Sequence, residues 1–419
     1  MNDTNKIYDD VRALCSAAKN AWRGYAATST QKKNDLLCKI ADGLNSDKDV
    51  IFEANARDLE AARAAGIPSG MLDRLTLDDK RLSGICSALL DVAKLPDPIG
   101  SGSRVTRPNG LEITCTRAPI GTVAIIYEAR PNVTVDAAAL CLKTGNSVVL
   151  RGGKEAVNTN TALVTSIKKV LSDNGYSPDL VGLVTSTDRE SSVALMSMRG
   201  LIDVLIPRGG KGLIRSVVEN AKVPVIETGA GNCHLYVDGS ADLDMALSVT
   251  VNAKCSRPSV CNAIETLLVH KDVYTALLPR LVKATEKYDL EFRGCERTVA
   301  LLGCAAADES DWDTEYNDYI LAVRVVDSLD EAIEHISKYS TGHSEAIITE
   351  SVTNASRFTS EIDAAAVYVN ASTRFTDGGE FGFGAEIGIS TQKLHARGPM
   401  GLYALTTDKY IVSGNGQVR

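Results

Sequence analysis

Residues 122–154 have the sequence TVAIIYEARPNVTVDAAALCLKTGNSVVLRGGK, and this stretch decides the fold class. Two short apolar runs, 122–127 and 147–150, flank a longer run with helical character. The alternation continues to a run at 224–227 that is expected as another strand, and a second round extends from His234 to about Asn370. Such alternation is typical of parallel sheets with helices on both faces. The sequence therefore predicts an α/β fold with two parallel-sheet domains in tandem.

The segments around this core have different patterns. Residues 11–95 are expected to be helical, and the cluster at 96–100, with two prolines, ends the helical pattern. The Asn109-Gly110 pair lies between two β-branched runs and predicts a β-hairpin. Because a lone hairpin exposed on both faces is marginally stable, it is expected to pair with another chain or with a distant segment such as 402–412.

Composition excludes several classes of protein. The 419 residues include 45 Lys and Arg against 53 Asp and Glu, a formal charge of −8, which disfavours nucleic acid and acidic membranes as partners. No apolar run is long enough to span a bilayer, and the first residues lack a signal-peptide pattern, so a cytoplasmic location is expected. Ten scattered cysteines predict reduced thiols rather than a disulfide framework.

One four-residue string occurs twice, as Arg151-Gly152-Gly153-Lys154 and as Arg208-Gly209-Gly210-Lys211. Each copy follows an apolar strand and precedes a helix, where glycine N–H groups, a helix N-terminus and the flanking cations attract a phosphate. Two copies predict a dinucleotide site, although the glycines could serve only to start helices. Because no G-x-G-x-x-G follows the first strand, a nucleotide would be held in a variant way.

Four further residues could carry chemistry. Glu227 ends the 224–227 run, where it could act in catalysis or simply cap the turn. Cys255 and Cys261 lie among basic residues that favour the thiolate, but most buried cysteines are inert. His343 lies in an expected loop, where it could contact an anion or be solvated. A zinc site formed by Cys255, Cys261 and His234 or His270 is disfavoured because no C-x-x-C spacing is present, so no metal is predicted.

Several runs resemble the γ-glutamyl phosphate reductases of the aldehyde dehydrogenase superfamily. The runs are 118–156 (APIGTVAIIYEARPNVTVDAAALCLKTGNSVVLRGGKEA), 206–214 (IPRGGKGLI), 223–234 (VPVIETGAGNCH), 257–270 (RPSVCNAIETLLVH) and 330–350 (DEAIEHISKYSTGHSEAIITE). The resemblance implies an aldehyde dehydrogenase-like fold with a cofactor-binding domain (1–100 and 118–230), a catalytic domain (231–395) and an oligomerisation hairpin and tail (101–117 with 396–419). A homo-oligomer is therefore expected.

The resemblance also implies the reaction. L-glutamyl 5-phosphate would be reduced with NADPH to L-glutamate 5-semialdehyde and phosphate, the second step of proline biosynthesis from glutamate. The R-P-x-x-C-N segment makes Cys261 the nucleophile that forms a thioester. A glutamate kinase is expected as a separate protein that supplies the acyl phosphate.

Roles for other residues follow from the same resemblance. Asn132 and the Cys261 N–H are expected to stabilise the oxyanion, and Glu227 to deprotonate Cys261 or tune the site while water is excluded. The residues expected to bind the cofactor are Arg151, Gly152, Gly153, Lys154, Arg208, Gly209, Gly210 and Glu315. Among them, Lys154 would favour the 2′-phosphate of NADPH and Glu315 would hold the nicotinamide ribose.

The substrate carries anionic groups, and the residues expected to contact them are Arg130, Arg257, His343 and Ser344. Two alternatives stay open. One is an aldehyde dehydrogenase that forms an acid without phosphate, and the other is a non-catalytic protein that keeps this fold.

Overall fold

The structure is a computed structural model that describes residues 3–419. The helices are α1 (Asp3–Tyr25), α2 (Thr30–Ser46), α3 (Lys48–Ala64), α4 (Ser69–Leu75), α5 (Asp79–Lys94), α6 (Pro131–Lys143), α7 (Val157–Asp173), α8 (Arg189–Met196), α9 (Lys211–Asn220), α10 (Leu243–Cys255), α11 (Tyr274–Thr285), α12 (Glu296–Leu302), α13 (Leu329–Tyr339) and α14 (Val352–Glu361). The strands are β1 (Gly102–Thr106), β2 (Glu112–Pro119), β3 (Thr122–Tyr127), β4 (Ser147–Arg151), β5 (Val181–Leu183), β6 (Val204–Arg208), β7 (Cys233–Val237), β8 (Ile264–His270), β9 (Glu291–Gly294), β10 (Ala305–Ala306), β11 (Ile320–Val326), β12 (Ser344–Ile348), β13 (Ala366–Val369), β14 (Ile389–Ser390), β15 (Gly398–Pro399) and β16 (Thr406–Ser413).

The chain forms two compact units. Unit 1 contains Met1–Glu227, Gly382–Gly388 and Met400–Arg419, and unit 2 contains Thr228–Phe381 and Ile389–Pro399. Each unit has its own parallel sheet, in agreement with the predicted α/β class.

Unit 1 is built on a four-stranded parallel sheet in the order β5-β4-β3-β6. Every residue of β3 is buried, which explains its uninterrupted apolar sequence. Helices α1 and α8 pack on one face, where Val11 and Cys15 meet Ala124 and Val149. On the other face lie α6 and α7, and these helices are covered in turn by α2, α3 and α5. Helices α2, α3 and α5 of the N-terminal helical region therefore form an additional layer, whereas α1 packs directly on the sheet.

A second sheet in unit 1 is antiparallel, with the order β1-β2-β16. Strands β1 and β2 form the hairpin around the Asn109-Gly110 turn, where Gly110 has a φ of 85° that favours glycine. The C-terminal strand β16 pairs along the whole of β2. The hairpin therefore gains its third strand from the distant segment that the sequence suggested.

Unit 2 contains a seven-stranded parallel sheet in the order β10-β9-β11-β8-β7-β12-β13. One face packs against α10 and α11 through residues such as Leu235 and Leu267. The opposite face packs against α13 and α14 through residues such as Tyr236 and Phe358. Alternate residues of β7 thus point into two separate cores.

The structure corrects one local expectation. Residues 224–227, expected as a strand, form a single isolated bridge between Val225 and Leu205 and no ladder. Pro224 lacks the backbone N–H that a ladder requires, which limits pairing at this point. Among the helices of residues 3–419, none is both long enough and apolar enough to cross a membrane.

Candidate active site

In unit 2, the Cys261 segment, defined as residues 256–262, joins α10 to β8. Cys261 itself is half-buried. The next residue is held on two sides, because the Asn262 carbonyl accepts a hydrogen bond from Thr373 Oγ1 at 2.6 Å and Asn262 Nδ2 donates to the Thr376 carbonyl at 3.0 Å. These bonds fix the backbone beside the cysteine.

Gly231 lies directly against the Cys261 segment. A Cβ atom at this position would lie 1.6 Å from the Cys261 carbonyl oxygen and 2.6 Å from its Cα. Only glycine allows this approach of two backbones. The Gly231 N–H donates to Glu315 Oε1 at 2.9 Å, so the glutamate expected to hold the nicotinamide ribose contacts the residue that supports the Cys261 segment.

A chain of buried polar side chains begins under the Cys261 segment. The Cys233 thiol donates to the Cys261 carbonyl at 3.1 Å, and Cys233 Sγ lies 3.6 Å from His343 Nδ1. His343 Nδ1 is 2.8 Å from Ser344 Oγ, which is 2.6 Å from Thr376 Oγ1. Burial raises the pKa of Cys233 far above its usual value, so this sulfur stays a thiol.

The exposure of His343 and Ser344 bears on their expected contact with substrate anions. Both side chains have 0% of their surface exposed. A dissolved anion reaches neither of them in this arrangement. Their bonds instead connect β12 to the backbone that carries Cys261.

Cys255 is the second cysteine of the basic stretch. It is buried at the end of α10, and burial raises its pKa to about 11 although Lys254 partly opposes the shift. The Lys254 ammonium is committed to Glu265 through a fully buried ion pair of 2.5 Å. Glu265 Oε1 also accepts the Asn317 N–H at 3.1 Å, which anchors the loop that carries Glu315. Lys254 therefore serves a structural ion pair.

Arg257 and Arg374 lie beside the cysteine. Arg257 is exposed within the Cys261 segment. Arg374, which no sequence pattern singled out, donates from Nε to Ser256 Oγ at 3.0 Å and from Nη1 to Asn262 Oδ1. One guanidinium thus connects the two ends of the segment. The linear sequence gave no signal for this, because Arg374 is more than 100 residues away.

In unit 1, the first glycine turn follows β4. A Cβ added at Gly152 would lie 2.2 Å from Asn160 Nδ2, and one added at Gly153 would lie 2.6 Å from Glu155 Oε2, so both positions are closely packed. Arg151 donates from Nη2 to the Thr187 carbonyl at 3.2 Å, while its buried Nε has no hydrogen-bond partner among residues 3–419. Lys154 is exposed and begins a 3-10 turn before α7.

The second glycine turn already holds a carboxylate. Glu128 Oε2 accepts the Gly210 N–H at 3.1 Å, and a Cβ at Gly209 would lie 2.6 Å from the Glu128 carboxyl carbon. Helix α9 begins at Lys211, so this carboxylate lies where the helix N-terminus attracts negative charge. The buried Nε of Arg208 has no partner within the described part of the chain.

Asn132 is exposed in the first turn of α6 and donates from Nδ2 to Asp136 Oδ2 at 3.1 Å. Burial raises the pKa of Asp136 to about 6, although Asn132 and Arg208 oppose the shift. Arg130 is the half-buried N-cap residue of α6, and Glu227 is half-buried after the isolated bridge. The catalytic and binding roles of these residues stay predictions.

No group of three or more His, Cys, Asp or Glu side chains in residues 3–419 is arranged to hold a metal ion. Cys255, Cys261, His234 and His270, which could form a zinc site on paper, are not brought together as such a group.

Comparison with known proteins places the chain in a family. The aldehyde dehydrogenase family model matches residues 4–294 and 306–393. The γ-glutamyl phosphate reductase of Carboxydothermus hydrogenoformans is 56% identical over 98% of this chain and 100% of its own length. The crystal structure of the γ-glutamyl phosphate reductase of Thermotoga maritima superposes with a TM-score of 0.95, at 49% identity, over 98% of this chain and 99% of that one.

A more distant likeness supports the fold alone. An engineered glycolyl-CoA reductase with bound NADP+ has a TM-score of 0.68 at 17% identity and covers 96% of each chain. The family model and the full-length similarity agree with the resemblance read from the sequence. The chain belongs to the aldehyde dehydrogenase family and, within it, to the γ-glutamyl phosphate reductases.

Proposed function

We propose that this chain reduces L-glutamyl 5-phosphate with NADPH to L-glutamate 5-semialdehyde and phosphate, as the second step of proline biosynthesis. The observation that carries the proposal is the 56% identity to a γ-glutamyl phosphate reductase across 98% of the chain. The partial exposure of Cys261 supports it further, since the other two cysteines near it, Cys233 and Cys255, are buried with raised pKa values.

The residues of the two glycine turns fit a dinucleotide. The Nε atoms of Arg151 and Arg208 are buried without partners in residues 3–419, and such donors are suited to phosphate oxygens. Lys154 is exposed at the start of the 3-10 turn, where a cation favours a 2′-phosphate. The chemistry that a bound NADPH supplies is hydride transfer to an acyl group.

Cys261 performs the acyl-transfer step. Its thiolate attacks the acyl carbon, a C–S bond forms, and the C–O bond to phosphate breaks with its electron pair leaving on phosphate. A thioester is a better hydride acceptor than a carboxylate. Its reduction gives a thiohemiacetal oxyanion, and cleavage of the C–S bond then releases the aldehyde and restores the thiolate. The bonds to Asn262 and the contact with Gly231 keep the backbone at Cys261 in place. The roles of Asn132 and Glu227 are to be tested by substitution.

The reverse reaction tests the proposal directly. Glutamate 5-semialdehyde and NADP+ should yield NADPH only when phosphate is present, because phosphate must attack the thioester. NADPH formation that ignores phosphate and releases glutamate would support a hydrolytic aldehyde dehydrogenase instead. The variant Cys261→Ser should lose activity, whereas the matched variant Cys255→Ser should keep it. Equal activity of Cys261→Ser and the wild type would contradict the proposal.

We also propose that the sheet β1-β2-β16 joins copies of this chain. Its outer strands expose the apolar side chains of Val105, Tyr410, Ile411 and Val412, which is unusual for a surface in contact with water. Ile411→Asp should lower the molar mass measured by sedimentation. An unchanged mass in this variant would contradict the assignment. The cytoplasmic location and the separate kinase stay predictions.

A further inference from the structure

The guanidinium of Arg374 is held next to the Cys261 segment. Arg374 lies on the 3-10 turn Thr373–Phe375 and is half-buried. Its Nε donates to Ser256 Oγ at 3.0 Å and its Nη1 to Asn262 Oδ1. These bonds use two of the five N–H groups of the guanidinium. The remaining donors are available to a ligand, on a side chain whose position is already fixed.

Arg257 brings a second positive charge to the same place. Burial and the nearby charge of Arg257 lower the pKa of Arg374, while Asp377 and the Cys261 sulfur oppose the shift. Neither guanidinium forms an ion pair with a carboxylate of residues 3–419. Two like charges held close together without a paired carboxylate attract an anion.

We propose that Arg374 and Arg257 bind the phosphoryl group of the acyl phosphate and stabilise the phosphate as it leaves. This inference rests on the proposed function. The phosphorus is separated from the attacked carbonyl carbon by a single bridging oxygen, so the phosphoryl group must lie beside the sulfur of Cys261. The α-carboxylate of the substrate is several bonds farther from that carbon. Cations near the sulfur are therefore assigned to the phosphate.

The pair also fits the charge that develops during the step. When the C–O bond breaks, its electron pair moves to the departing phosphate oxygen. Guanidinium groups form two parallel hydrogen bonds with phosphate oxygens and stabilise this charge without rearrangement. In the reverse direction the same two groups bind inorganic phosphate before it attacks the thioester.

The test uses the reverse reaction of the full chain with inorganic phosphate. Arg257 is exposed, so Arg257→Gln should fold normally. Arg374→Lys keeps the positive charge but loses the planar set of N–H donors of the guanidinium. Each should raise the KM for phosphate by about 10-fold or more, with the KM for glutamate 5-semialdehyde nearly unchanged. Arg297→Gln, which removes an exposed arginine paired with Asp327, is the matched control and should change neither constant.

A second readout does not depend on turnover. Phosphate should slow alkylation of Cys261 in the wild type and in Arg297→Gln, and this protection should be lost in Arg257→Gln and Arg374→Lys. An unchanged KM for phosphate in both variants would overturn the inference. A rise confined to the KM for the semialdehyde would also overturn it and would assign the two arginines to the α-carboxylate. Wild-type turnover that needs no phosphate would instead overturn the proposed function.

Discussion

The approach of Gly231 to the Cys261 backbone allows a sharp test of the site by Gly231→Ala. The added Cβ would lie 1.6 Å from the Cys261 carbonyl oxygen, whereas real Cβ atoms essentially never approach closer than 3.0 Å, so the two backbones must separate by about 1.4 Å. Displacing a reacting group by about 1 Å can cost about 100-fold in rate. We therefore expect kcat/KM to fall by about 100-fold or more.

The assay is NADPH formation from glutamate 5-semialdehyde, NADP+ and phosphate, together with the rate of Cys261 alkylation. Gly84→Ala is the matched control, because Gly84 lies in α5 with no atom within 4 Å of the added Cβ. It should leave activity unchanged and stabilise the helix by about 0.5–1 kcal/mol. The reasoning is refuted if Gly231→Ala keeps activity within about 3-fold of the wild type while remaining folded.

Three other predictions concern unit 1. Lys154→Glu should lower kcat/KM for NADPH relative to NADH by about 10-fold, and an unchanged ratio would remove Lys154 from cofactor selection. Glu128→Gln should tighten NADPH binding about 3-fold or more in a fluorescence titration, because the carboxylate on the Gly210 N–H competes with a phosphate; weaker binding would contradict this. The pKa of Asp136 is raised to about 6, so between about pH 4 and pH 6 the native state keeps a proton that the unfolded state has lost. The contribution of Asp136 to the free energy of unfolding therefore falls by roughly 2 kcal/mol as pH rises from about 4 to above 6. In urea unfolding, Asp136→Asn should not show this loss of stability between about pH 4 and pH 6. If the free energy of unfolding changed with pH in the same way in the variant and the wild type, the prediction would be refuted.

The strands were predictable where burial on both faces produced continuous apolar runs, as in β3 and β4. The Asn109-Gly110 turn was equally clear, because its left-handed backbone leaves few alternatives to glycine. The run 224–227 has the same apolar character but forms only one bridge. Pro224, which lacks a backbone N–H, limits its pairing with β6, and the apolar character of the run does not reveal this.

The site was only partly predictable for a similar reason. Cys261 is proposed from the resemblance of its R-P-x-x-C-N segment to the family, whereas Arg374 and Thr376 reach the Cys261 segment from more than 100 positions away. His343 lies in a loop directly before β12, as expected, but the fold buries it completely beside Cys233. Such support of one segment by another is a property of tertiary packing, and a single sequence does not display it.

The most direct test of the central claim is to identify which atom carries the acyl group. The enzyme can be mixed, without NADPH, with glutamyl phosphate generated in place by a glutamate kinase, quenched in acid, digested and analysed by mass spectrometry. We predict a glutamyl group on the peptide that contains Cys261, and its disappearance when NADPH is added before quenching. A glutamyl group on another cysteine, or steady NADPH consumption with Cys261 replaced by serine, would contradict the thioester mechanism.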